Sequence, residues 1–400
     1  MVDRRGNTAD DGRGRPPGRR WVWWLRRFLI VLGLLALFLL LFCSQTRPGR
    51  AGFKSLLLVP QLIPNASFKP LEWFTIGPHR QEVTFPTASG TGVADIYRIE
   101  DGRERAGVIL FLGVNPAGRD DTRVVNLGQA LARAGFVVMI PWSEKMVQRR
   151  LDTDSPGDLV SAFLYLRGRP DVDDRRVGMG GFCVGGSMAL VAAADPRIRD
   201  DVAFVNSFGG YYDAFDLVVQ VAGRTRFFNG NETAWQPSEQ TRDVLTTELL
   251  EGIEDAHERD LVRELLAQEG GATSRQLEGL SRQGRAVYSL LHGVGLEEAR
   301  KAAADLPPAS LALLDSVSPS AVVGGIGARV LIMHDREDDN VPSEESRRLA
   351  DALVERGNLR YTEFSFFQHM DPTRRVGIFT FIGEAFKLYR HLYDIVAVAN

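Results

Sequence analysis

The chain has 400 residues, 44% hydrophobic and 25% charged, which are globular values and leave room for one large domain or two ordinary ones. Net charge is −3, but residues 1–50 carry ten arginines against three aspartates, so the rest of the chain is about −10. That acidic balance argues against a nucleic-acid-binding domain, which needs a basic face.

Residues 1–20 are polar, basic and rich in Gly and Pro, a composition expected to be disordered. Trp21, Trp23 and Trp24 follow, then Arg26 and Arg27, then 16 apolar residues from Phe28 to Cys43. A spanning helix needs roughly 17–25 residues, and the flanks supply the difference. A cleavable signal peptide is the rival reading. No small-x-small site follows the run, and Phe42 is too bulky for a lipoprotein box at Cys43. Residues 21–45 are therefore read as an uncleaved transmembrane signal anchor. Its basic flank places the N-terminus in the cytoplasm and the large domain outside it. Residues 46–75 are read as a linker with a few apolar anchors.

From Glu82 onward, strand-like and helix-like segments alternate. Strands are expected at Val93–Ile99, Val108–Gly113, Phe136–Pro141, Val177–Phe182, Val202–Phe208, Val330–His334 and Leu359–Phe367. Helical patterns lie between them, and Pro372–Ile395 closes the chain. The alternation implies α/β architecture with a doubly wound, mostly parallel sheet over residues 76–400. Residues 213–319 break the rhythm. About 100 residues without a good strand is too long for a loop, and the segment reads as a helical cap inserted between two sheet strands.

Chemistry concentrates at Gly181-Phe182-Cys183-Val184-Gly185-Gly186, between an apolar strand and an Ala-rich helix. A G-x-nucleophile-x-G run in that context is the nucleophile elbow of the α/β-hydrolase fold. Here the nucleophile is cysteine. The other cysteine, Cys43, ends the apolar run, so the domain has no disulfide of its own. A thiol at a helix N-terminus beside an imidazolium is favoured as the thiolate.

In this fold the chain order is nucleophile, acid, histidine. The loop after Val330–His334 carries Asp338 in a D-x-x-V-P pattern. Its neighbours Asp335, Glu337 and Asp339 read as a solvated acidic turn. His369 follows the last strand and precedes the last helix, as the base should. His334, closing the acid strand, reads as structural. The oxyanion needs N–H donors. Val184, just after the nucleophile, should be one, and Phe111 or Val114 the other. No metal-spaced Cys/His cluster and no Walker-type phosphate loop occurs, so no cofactor is expected.

Four blocks resemble the dienelactone hydrolase family of α/β-hydrolases: Phe111–Asn115, Val177–Gly186, Gly209–Tyr212, and Asp338–Pro342 with His369. The resemblance implies a Cys-His-Asp triad acting on a carboxylic ester or lactone. Three departures stand out. The family is typically compact and uncapped, its acid near the thiol aligns with the apolar Leu110, and its substrate-carboxylate arginines have no counterparts here. The reading is a membrane-anchored ester or lactone hydrolase acting through a thioester. The alternatives are an acyltransferase using the same triad, or a non-catalytic binding protein on a hydrolase fold.

Overall fold

A computed structural model describes residues 18–63, 68–367, 369, 374 and 376–400. The basic stretch expected to be disordered lies outside the described residues as far as 17, and from Gly18 the chain is helical. The first helices are α1 (Gly18–Gln45), α2 (Arg47–Leu62) and α3 (Leu71–Phe74). Then come β1 (His79–Thr87), β2 (Gly90–Arg98), β3 (Arg105–Phe111), α4 (Thr122–Ala134), β4 (Phe136–Trp142), α5 (Glu144–Val147) and α6 (Ser155–Arg167). The centre holds β5 (Val172–Phe182), α7 (Val184–Ala193), β6 (Val202–Phe208), α8 (Ala214–Gly223), β7 (Thr225–Phe228) and β8 (Asn231–Ala234). Helices α9 (Glu239–Glu251), α10 (Ala256–Leu266), α11 (Ser274–Glu278), α12 (Arg282–His292), α13 (Leu296–Ala304) and α14 (Pro308–Ser316) follow. The chain closes with β9 (Arg329–Asp335), α15 (Ser343–Leu353), β10 (Leu359–Phe364) and α16 (Ile378–Val396).

Eight strands form one sheet in the order β1-β2-β4-β3-β5-β6-β9-β10. β1 and β2 pair antiparallel, as do β2 and β4, and the other pairs are parallel. Successive side chains of a strand point to opposite faces. Ile109, Phe111, Met139, Met179 and Val205 therefore join one core with α6, α7, α8 and the residues inserted after β6. Val108, Leu110, Val138, Phe204 and Phe208 join a second core with α2, α4 and α16. Both faces are covered, which is why the central strands read as unbroken apolar runs. Each large side chain buried this way stabilises the fold by roughly 1.5–3 kcal/mol.

Two expectations are corrected. Arg47–Leu62, read as linker, is a helix whose Ala51 and Leu58 are buried in the second core. Thr46 caps it through Gly49 N–H, and Pro48 sits in the first turn, where no intrahelical N–H is lost. The segment after β6 is not wholly helical either, because β7 and β8 pair as a small antiparallel hairpin.

One buried charge ties the antiparallel edge together. Asp95 on β2 is 1% exposed and accepts bonds from Arg80 (2.9 Å), Arg119 (2.7 Å) and the Trp142 indole (2.9 Å). Burial works against its charge, but those donors hold its carboxyl below the usual carboxylate range.

Candidate active site

The parallel strands β3, β5, β6 and β9 end on one edge of the sheet, where open α/β folds place their ligands. β5 turns into α7 at Cys183, whose φ of 52° and ψ of −134° are unusual for a residue with a side chain. Its N–H donates to Phe208 O at 2.8 Å, and its carbonyl accepts from Gly186 N–H at 2.9 Å. The surrounding glycines are required by space. A Cβ on Gly181 would overlap the Gly185 backbone, and one on Gly185 would overlap the Phe111 carbonyl. Gly113, at φ +65°, packs its backbone against the same turn.

Asp338 follows β9 and is 1% exposed. Its Oδ1 accepts from Asn340 N–H (2.7 Å) and Val341 N–H (3.1 Å), and its Oδ2 accepts from His369 Nδ1 (2.7 Å). Burial alone would raise its pKa, yet His369 and the Val341 N–H hold it below the usual range. The His369 ring and Cys183 line the same cavity at the strand ends. Burial opposes its charge, but the Asp338 carboxylate and the Cys183 sulfur outweigh it and hold its pKa well above the ordinary histidine value. The structure thus brings Cys183, His369 and Asp338 together from three segments of the chain. Gly209, at φ +64°, leaves room for the pair: a Cβ there would stand 3.4 Å from both Asp338 Oδ2 and the His369 ring.

Asp335, read as part of a solvated turn, is fully buried. It accepts from Phe367 N–H (2.9 Å) and Arg374 Nη1 (3.0 Å), and so holds the chain on both sides of His369. His334 is buried between Ser346 Oγ and the Val341 carbonyl, and burial pushes its pKa down, so it supports the loop as a neutral ring.

Val184 opens α7, and Val114 lies with it and Cys183 on the wall of a cavity of about 100 Å³. Phe111 ends β3, is buried in the core, and turns its carbonyl toward Gly185. Leu217 and Val218 of α8, Leu245 of α9 and Leu313 of α14 make the cavity apolar. A second cavity, about 1370 Å³, runs from Cys183 and His369 along the other core to Leu62, Ile63 and Lys69. Leu110 lines this one.

Several residues here carry no sequence signal. The Trp235 indole donates to the Asp338 carbonyl (2.9 Å), and Ser238 N–H donates to the Asp339 carbonyl (2.7 Å). Thr241 Oγ1 donates to the Asn340 carbonyl (3.0 Å), so the segment after β8 grips the acid loop. Glu345 of α15, fully buried, accepts from Tyr212 N–H, Asp213 N–H and Gln220 and fixes the end of β6. Tyr211 lines the smaller cavity, and its buried hydroxyl has no partner among the described residues. Burial and the neighbouring Cys183 raise the pKa of that hydroxyl. No group of three or more His, Cys, Asp or Glu suited to a metal occurs among the described residues.

The sheet order, the strained turn at Cys183 and the site at the strand ends define an α/β-hydrolase. The resemblance to the dienelactone hydrolase family holds over residues 105–211, which match that family's model. The match contains β3, the elbow and Tyr211, while Asp338 and His369 lie beyond it. No curated protein matches the chain. Among solved structures, an acylaminoacyl peptidase in complex with Z-Gly-Gly-Phe-chloromethyl ketone is 15% identical with a TM-score of 0.45, covering 74% of this chain and 38% of its own. The esterase from the archaeon Pyrobaculum calidifontis is 15% identical with a TM-score of 0.44, covering 87% and 90%. The 2,6-dihydroxy-pseudo-oxynicotine hydrolase is 15% identical with a TM-score of 0.46, covering 80% and 68%. The chain spans about two fifths of the length of the acylaminoacyl peptidases it matches.

Proposed function

We propose that this protein is a membrane-anchored hydrolase of carboxylic esters or lactones that works through a thioester on Cys183. The observation that carries the reading is the Asp338–His369 hydrogen bond beside Cys183 on its strained elbow, in a fold that uses this order for acyl transfer. Cys183 attacks the carbonyl carbon, and the oxyanion is met by Val184 N–H and Val114 N–H. Val114 is preferred to Phe111 because it borders the cavity. His369 gives its proton to the departing alkoxide. It then takes one from the water that cleaves the thioester and returns it to the sulfur. Asp338 holds the ring by Nδ1 throughout. Residues after β6 close over Cys183 as a cap and exclude bulk water.

The anchor is α1, where the most apolar 18 residues within Trp21–Gln45 have mean hydropathy 2.6 and are unburied within the protein. The basic flank sets the N-terminus in the cytoplasm and the hydrolase outside it.

The test uses full-length protein in detergent with p-nitrophenyl esters of short and long acyl chains. Wild type should hydrolyse them, and Cys183→Ala should fall to background. Equal rates in the two folded proteins would sink the reading. A second reading, acyl transfer, is favoured by the apolar wall around Cys183, which suits an acyl chain better than water. Added alcohol acceptors would then divert product from acid to ester.

A further inference from the structure

Next to α1 the protein carries a second apolar surface. Phe53 and Leu56 of α2 are exposed, as are Phe68, Trp73, Phe74 and Ile76 around α3. Their rings pair with one another: the Phe53 and Phe74 centroids are 6.0 Å apart, and those of Phe68 and Trp73 5.2 Å. The first half of α16 adds Ile378, Phe379, Ile382 and Phe386, spaced to fall on one side of a helix. Phe379 is 88% exposed. The two rows meet at Tyr389, which stacks on Phe386 and whose hydroxyl lies against Gly52 of α2. A surface of this extent marks an interaction site.

The chain path says what lies against it. Only Thr46 separates α1 from α2, and one residue spans at most about 3.6 Å. Arg50 closes the junction by donating to the Ser44 carbonyl at 3.3 Å. If α1 crosses a bilayer and leaves it at Gln45, α2 has no slack to stand away from that surface. Arg47 and Arg50 sit at the crossing point, where long cationic side chains reach into the headgroup layer. Aromatic and aliphatic side chains on helices lying beside such cations are the composition of an interfacial contact.

We propose that the exposed face of α2, α3 and the first half of α16 rests on the phospholipid bilayer that α1 spans, holding the hydrolase domain by a peripheral contact. This rests on the spanning role proposed for α1. The larger cavity reaches Leu62, Ile63 and Lys69 at the border of this face. An acyl ester in the bilayer thereby has a route to Cys183, apolar along Leu110, Leu131 and Leu388 and polar at Lys69, Asp121 and Arg123.

The test uses the full chain in phosphatidylcholine–phosphatidylglycerol nanodiscs, with both native cysteines replaced (Cys43→Ala, Cys183→Ala). Single cysteines at Phe379→Cys, Trp73→Cys, Leu35→Cys or Leu164→Cys carry an environment-sensitive fluorophore, and circular dichroism checks each fold. Leu35 lies in α1, and Leu164 is an exposed apolar residue of α6. Labels at 379 and 73 should be quenched several-fold more strongly by spin-labelled lipid than the label at 164, and less by aqueous iodide. Because these sites lie on separate helices, one disturbed variant does not spoil the test. Quenching by lipid at 35 with 379 and 73 as iodide-accessible as 164 would overturn the peripheral contact and leave the anchor standing. No lipid quenching at 35 would remove the anchor, and this proposal with it. A disulfide between copies of Phe379→Cys, with that site shielded from both quenchers, would assign the face to a second copy and overturn the proposal.

Discussion

Cys183 occupies a backbone conformation that costs about 1–3 kcal/mol for a residue with a side chain, and its neighbours impose it. The strain aims the sulfur at the cavity and at His369. The charge state of that histidine follows from what touches it. Its folded pKa is raised, so the pair contributes stability that is fully present below the unfolded value of about 6.5 and is lost as pH rises through the elevated folded value. In Cys183→Ala the contribution of the sulfur is gone. His369 should then titrate at lower pH than in the wild type, and the loss of stability on the alkaline side should begin earlier. Ring-nitrogen NMR across pH, with thermal melts alongside, reads both. A His369 titration unmoved by the substitution would refute the pairing. At this scale the elbow was legible because its signal is contiguous: glycines and nucleophile within six residues. Asp338 and His369 were legible from their places after strands. Asp335 was misread because its partners, Phe367 and Arg374, lie more than 30 residues further along, where no local pattern marks them.

The acid loop shows how elements share the work of positioning. Val341 N–H and Asn340 N–H fix the carboxylate from within the loop, while Trp235, Ser238 and Thr241 fix its backbone from the segment after β8. The hairpin is tied to the same loop by Arg226, which donates to the Arg336 carbonyl at 3.0 Å. Trp235→Phe keeps an aromatic ring and removes only the N–H. A single hydrogen bond is worth about 0.5–1.5 kcal/mol, or roughly two- to tenfold. The turnover number should fall by about that factor with KM little changed, and the apparent pKa of His369 in the pH–rate profile should shift because Asp338 is less firmly held. A change in melting temperature alone, with kinetics and profile intact, would make Trp235 merely structural. Seven of the eight strands of the sheet were legible, the central ones because burial on both faces writes long apolar runs, but β1, mostly exposed at the edge, was not. Nor was α2, because Gly49, Gly52 and Pro60 lower its intrinsic helix propensity, and packing against α4 and α16 overrides them. The hairpin β7–β8 was missed because two four-residue strands, largely outside the core, carry no alternation to read.

The molecule is layered: one core under α6, α7 and α8, the other under α2, α4 and α16, with the site at the strand ends touching both. Each cavity at Cys183 belongs to a different layer. The smaller one is walled by α8, α9 and α14 and suits the acyl portion of a substrate, while the larger one leads toward α2 and the proposed membrane face. Under the proposed function, this asymmetry would give substrate a direction of approach. If the ester arrives through the bilayer, protein and substrate must share a membrane. A long-chain fluorogenic ester lipid placed in the same nanodiscs as the protein should be hydrolysed much faster than the same ester in separate nanodiscs added to the mixture. A short water-soluble ester should show no such difference, because it reaches Cys183 from solvent in either arrangement. Were the long-chain ester hydrolysed equally fast in both, substrate would be arriving through water, and the cavity beside α2 would have no part in its delivery. Equal rates for the short ester with unequal rates for the long one would tie the proposed anchor, the apolar face and Cys183 into one path.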